Sequence, residues 1–121
     1  MSLHTQLPIH RDASSLLGIG IQIQVNLPRA VKRALGDKII DHCVEMLDLV
    51  ARANACKGER RARFIELLLE MQRAVQHLLR VAFNEHFVSP KLWGAATQKL
   101  EAIGRQAGGW LKSTREQVPA A

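Results

Sequence analysis

Between residues 90 and 113, Trp93, Ala96, Leu100, Ile103, Ala107 and Trp110 recur at intervals of 3, 4, 3, 4 and 3. That spacing is the apolar seam of a helix that packs against other helices along its whole length. Burying such a stripe takes partner helices, because a lone helix gains little from propensity alone. The start is marked too: Ser89 suits the N-cap and Pro90 the first helical position. Lys91, Gln98, Arg105 and Lys112 repeat every seven residues on another face.

Three glycines, Gly104, Gly108 and Gly109, interrupt this helix. Each costs roughly 0.5–1 kcal/mol relative to alanine in a helix interior. A phosphate-cradling loop would need a strand before it and a helix after it, whereas heptads run straight through here. Gly104 and Gly108 lie four apart beside the seam that carries Trp93 and Trp110. They are expected to form a flat strip where a neighbouring backbone comes close.

Two further segments follow helical spacing. Phe64, Leu67, Leu68, Met71, Val75, Leu78, Leu79 and Ala82 define a helix over 59–86. Val31, Ala34, Leu35, Ile39, Val44, Leu47 and Val50 define another over 30–55, and "CKGERR" is the turn between them, with Gly58 as the stop signal. Residues 14–27 are ambiguous. "IGIQIQV" alternates as a strand does, and its β-branched residues and glycines favour that reading. Leu16, Ile19, Ile23 and Leu27 also fit one helical stripe. A lone strand would find no partner in this chain. Short turns force antiparallel neighbours, so the expected fold is all-α: an up-down-up-down four-helix bundle over residues 14–115, between tails at 1–13 and 116–121.

A hydrophobic content of 47% is enough for a packed core. The net charge of +6 favours acidic partners, nucleic acid before anionic membrane. No signal peptide or bilayer-spanning run is visible, which points to a cytoplasmic protein without a membrane partner. Cys43 and Cys56 lie thirteen residues apart on one expected helix, about 20 Å at its rise, so no disulfide joins them.

The cations cluster. Arg60, Arg61 and Arg63 open a helix, with Arg52 and Lys57 just before them. In an antiparallel bundle Lys112 and Arg115 share that end, offset only by Glu59 and Glu116. Cations at a helix N-terminus oppose its dipole. Two readings fit: a solvated turn, or a site that an anion such as phosphate completes. Arg29, Lys32 and Arg33 open the second long helix at the other end, near Arg80 and Lys91. Mid-bundle carboxylates are read as surface pairs, Glu66 with Arg63 and Glu70 with Arg73.

No catalytic set emerges. His42, His77 and His86 lack metal-ligand spacing. Cys43 has no base beside it, since His42 points about 100° away on a helix. Asp41 and Glu45 lack the Glu-x-x-His companion of a di-iron bundle. No cofactor, metal or enzymatic activity is expected.

"LPRAVKRALGDKIIDHCVEMLDLVARA", "RRARFIELLLEMQRAVQHLLRVAF" and "SPKLWGAATQKLEAIGRQAGGWLKS" together resemble a four-helix-bundle family. That family includes the proteins of ribosomal-RNA intervening sequences and the accessory variability determinants of diversity-generating retroelements. The "IGRQAGGWLKS" ending is most similar to the accessory branch. The resemblance spans about residues 15–113 and implies that 15–27 is a helix. It further implies a homopentameric barrel, binding of DNA and RNA through a basic surface, and a reverse transcriptase as partner. The expectation is a non-enzymatic nucleic-acid adaptor; the alternative is a structural bundle that binds an acidic protein. The second helix, apolar on several faces (Ile39, Ile40, Cys43, Val44, Met46, Leu47, Leu49, Val50), also points to self-assembly.

Overall fold

The computed structural model describes residues 3–117. Four helices, α1 (Pro8–Asn26), α2 (Lys38–Ala55), α3 (Gly58–Asn84) and α4 (Pro90–Glu116), run up, down, up and down. Each packs on its neighbours in the order α1–α2–α3–α4 and back to α1, so α2 and α4 are diagonal. No strand occurs among the described residues. "IGIQIQV" is helical because burial follows a 4-3-4-3-4 row, Ile9, Ala13, Leu16, Gly20, Ile23 and Leu27. The row uses Gly20, against Ile39 and Cys43 of α2, where the sequence pattern suggested Ile19.

The first helix starts before residue 14, which corrects the expected tail over 1–13. Pro8 occupies the first turn, and Ile9 and Ala13 are buried. Asp12 explains how this early turn is held. Its carboxylate accepts from Gln106 Nε2 at 2.6 Å and pairs with Lys99 Nζ at 3.3 Å, tying α1 to α4. At the other terminus α4 continues to Glu116; of the expected tail at 116–121, residues 118–121 lie outside the described residues.

The turns follow local chemistry. Ser89 Oγ accepts from Leu92 N at 3.2 Å, and Pro90 follows it, as the sequence indicates. Only Cys56 and Lys57, both extended, separate α2 from α3, and Gly58 turns the chain with φ +61°. The helix expected over 30–55 is broken. A 3-10 turn (Arg29–Val31) and a π-helical turn (Lys32–Asp37) precede α2. Buried Gly36 sits in that wide turn, against the end of α1. A Cβ there would lie 2.5 Å from Gln24 Cγ and 3.1 Å from Leu27 Cδ1. The tightest approach at a glycine of this chain is therefore at Gly36, and it is to side chains of α1.

Gly104 has a different neighbour. The Gln72 side chain, buried and donating to Leu100 O at 2.9 Å, lies 3.1 Å from where its Cβ would be. Gly108 is exposed, with nothing within 4 Å, so within this chain it packs against no backbone. Ala96, Leu100, Ile103 and Ala107 of the seam are buried, while Trp93 and Trp110 close it half-buried at either end. The surplus apolar residues of α2 are mostly used inside the chain: only Val44, 49% exposed, faces solvent.

Gly36→Ala should lower stability by about 1–3 kcal/mol, the range for forcing a methyl into a filled space. Gly108→Ala should raise it by about 0.5–1 kcal/mol through helix propensity. Denaturant unfolding of both variants checks this, and a stable Gly36→Ala protein would refute the close approach.

Candidate functional site

One end of the bundle gathers the start of α3 with the ends of α2 and α4. The Arg61 guanidinium shows how. It donates from Nε to Ala53 O at 2.9 Å and from a terminal nitrogen to Asn54 O at 3.3 Å. It also lies 5.7 Å from the Trp110 ring centroid, over its face. Carbonyls in the last turn of a helix lack intrahelical partners, and a cation there meets a favourable dipole. Arg61 opposes the dipole of α3 and satisfies that of α2. No external anion is needed to explain it.

Two more cations of the expected cluster are engaged. Arg52 Nε pairs with Asp48 at 2.7 Å, one turn away on α2. Arg115 pairs with Glu66 at 3.0 Å, across from α4 to α3. Glu66 therefore serves Arg115 rather than Arg63, and no Glu70–Arg73 pair forms among the described residues. Both pairs are largely exposed, and such bridges contribute little to stability.

Lys57, Arg60, Arg63 and Lys112 remain. All four are exposed, and among the described residues no carboxylate pairs with them. Arg73 of α3 and Arg105 of α4, which clustering along the sequence leaves out of the site, are exposed on the same two helices. The exposed positions of α2 carry Asp41, Glu45 and Asp48 beside Lys38 and Arg52. Among exposed side chains, carboxylates outnumber cations three to two on α2, while cations outnumber carboxylates four to two on α3 and four to two on α4, the diagonal partner of α2.

The opposite end holds Arg29 and Arg33, exposed, and Lys32, half-buried, in the irregular turns before α2. The α1 end and the α3–α4 turn meet there, since Ile23 and Asn26 line one groove with Phe83, Phe87 and Pro90. The structure does not bring these three cations to the Arg60 end. Trp93 is at this end, stacked on Phe83 at 4.7 Å between centroids.

Among the described residues no group of three histidine, cysteine or carboxylate side chains could hold a metal ion. Burial pushes the Cys43 thiol up to about 12, so it stays protonated and a poor nucleophile. Both cysteines are free. No described helix is long and apolar enough to cross a membrane.

The division between tied and untied arginines predicts a separable outcome. Arg61→Gln should cost about 1–3 kcal/mol, as expected for hydrogen bonds from a charged donor. Arg60→Gln and Arg63→Gln should stay within about 0.5 kcal/mol of the parent protein. Thermal unfolding of the three variants distinguishes them, and equal melting would contradict the role given to Arg61.

A family model described as bAvd-like matches residues 9–114. No curated protein and no solved structure gives a significant match. The matched span runs from the first buried residue of α1 to the last buried residue of α4 and so covers all four helices. With that match over nearly its whole length, the chain belongs to the bAvd-like family of bacterial accessory variability determinants.

Proposed function

We propose that this chain is a non-enzymatic, oligomeric adaptor that binds DNA or RNA through the cationic surface of α3 and α4. The membership supports a role as accessory protein to the reverse transcriptase of a diversity-generating retroelement. The observation that carries the nucleic-acid reading is the set Lys57, Arg60, Arg63 and Lys112. These cations are exposed at one end without acidic partners among the described residues, while Arg52, Arg61 and Arg115 are occupied by the fold. An ensemble of untied cations on a chain of net charge +6 suits a polyanion, because released counterions drive association. No recognition helix of a groove-reading motif is apparent, so phosphate interactions should dominate and sequence should matter little.

Changing Arg60, Arg63 and Lys112 together to glutamine should weaken binding to short DNA and RNA duplexes. For every phosphate no longer neutralised, the slope of log affinity against log salt should fall by about 0.7–0.9. Fluorescence anisotropy over a salt series reads both effects. Absence of binding by the parent protein at low salt would end this reading and favour an acidic partner protein.

Self-association into a ring, a homopentamer as the family resemblance implies, is supported by apolar side chains left in solvent. Ile21 and Val25 on α1, Val44 on α2 and Val81 on α3 are 46–59% exposed. A closed ring needs two different surfaces on each copy, and these residues lie on three helices. Light scattering at micromolar concentration should return a mass of about five chains. A single-chain mass would exclude the ring.

A further inference from the structure

The two ends of α4 carry the same pairing, an arginine of α3 laid over a tryptophan, with opposite consequences. Arg61 over Trp110 gives its donors to the carbonyls of α2. Arg80 lies over Trp93 with its guanidinium carbon 5.1 Å from the ring centroid, and among the described residues no acceptor engages it. Phe83 stacks on the same tryptophan at an interplanar angle of 11°, which holds the ring in place. Arg80 is therefore an exposed guanidinium, positioned on an aromatic ring, whose fork of donors is unspent.

Beside it, α3 and α4 enclose a cleft of about 320 Å³ lined by Gln76, His77, Arg80, Trp93, Thr97 and Glu101. Small-ligand sites run from about 300 to 1,000 Å³, so this one fits a single planar group and excludes a double helix. Beside apolar Leu100, its wall combines an aromatic ring, an imidazole, an amide, a hydroxyl and a carboxylate. Those are the groups that read the hydrogen-bonding edge of a base, carboxylates accepting from exocyclic amines. A carboxylate repels phosphate, so Glu101 argues against a site for a bare anion. A base that is paired in a duplex cannot offer its edge and its face at once, whereas an unpaired one can.

We infer that the cleft takes one unpaired nucleotide of a single strand. Its phosphate meets Arg80, its base lies against the Arg80–Trp93 pair, and Gln76, Thr97 and Glu101 face the base edge. This rests on the nucleic-acid reading above and adds a preference for single strands. From Arg60 to Arg80 is twenty residues of one helix, about 30 Å at its rise per residue, with exposed Arg63 and Arg73 between. A single strand lying along α3 would run from the cations at one end to this cleft near the other.

The test uses the Trp110→Phe protein, in which Trp93 is the sole tryptophan, titrated with a short oligodeoxyadenosine or oligodeoxycytidine, whose bases carry the exocyclic amine that Glu101 would accept from, and with a duplex of equal length. Single strands should change Trp93 emission saturably and the duplex should not. Arg80→Gln in the same background should weaken single-strand binding by about tenfold and leave duplex binding unchanged. Trp93 emission that responds equally to both, or single-strand affinity untouched by Arg80→Gln, overturns the inference while the broader reading stands. If neither nucleic acid binds, both fall. A response to a polyglutamate peptide alone would assign the cleft to an acidic protein and overturn it as well.

Discussion

The basic end of this protein depends on one guanidinium. Arg61 starts on α3, reaches the carbonyls of Ala53 and Asn54 at the end of α2, and lies over Trp110 near the end of α4. Three helix ends are fastened by a single side chain. It also resolves an electrostatic difficulty. Three arginines at the start of a helix oppose its dipole, but the adjacent helix ends in carbonyls that want a cation. A two-residue turn brings the two ends together. What remains after Arg61, Arg52 and Arg115 have found partners is a smaller set of cations than the sequence displays, and that set is the functional candidate.

The opposite end is built on backbone proximity. Gly36 lets the wide turn before α2 press on Gln24 and Leu27, an approach any side chain would obstruct. The two ends thus differ in kind. One is closed by polar fastening around a charge, the other by a glycine and an apolar groove. The length of the bundle between them is fixed by buried rows on each helix and by two polar cross-ties, Asp12 to Lys99 and Gln106, and Gln72 to Leu100 O. Such buried or half-buried ties fix helix register, since leaving any partner unsatisfied would carry the full desolvation penalty.

Much of the fold is legible from spacing. The α4 seam, the Ser89–Pro90 start and the α3 stripe are local signals, and the structure follows them. The first helix is harder. Its β-branched residues and glycines imitate a strand, and only the 4-3-4 row that begins at Ile9 separates the two, a row that includes a glycine and so escapes an apolar count. The site is legible in part. Clustering of cations along the chain is visible, but which of them are neutralised depends on residues far away in sequence, as with Arg115 and Glu66. Small residues do mark close packing, at Gly36 and at Gly104 but not at Gly108 within the chain, and the three glycines look alike until their neighbours are known. The Arg80 cleft gives no local signal, since its walls come from two helices.

The central claim is that untied cations at the α2–α3 turn and the end of α4 form the binding surface for nucleic acid. Lysine acetylation footprinting, read by mass spectrometry with and without a bound oligonucleotide, tests it residue by residue. The account predicts that Lys57 and Lys112 become protected while Lys32 and Lys38, in the turn before α2 and at its start, stay reactive. Protection of Lys32 and Lys38 with Lys57 and Lys112 still reactive would contradict it and move the binding surface to the other end of the bundle.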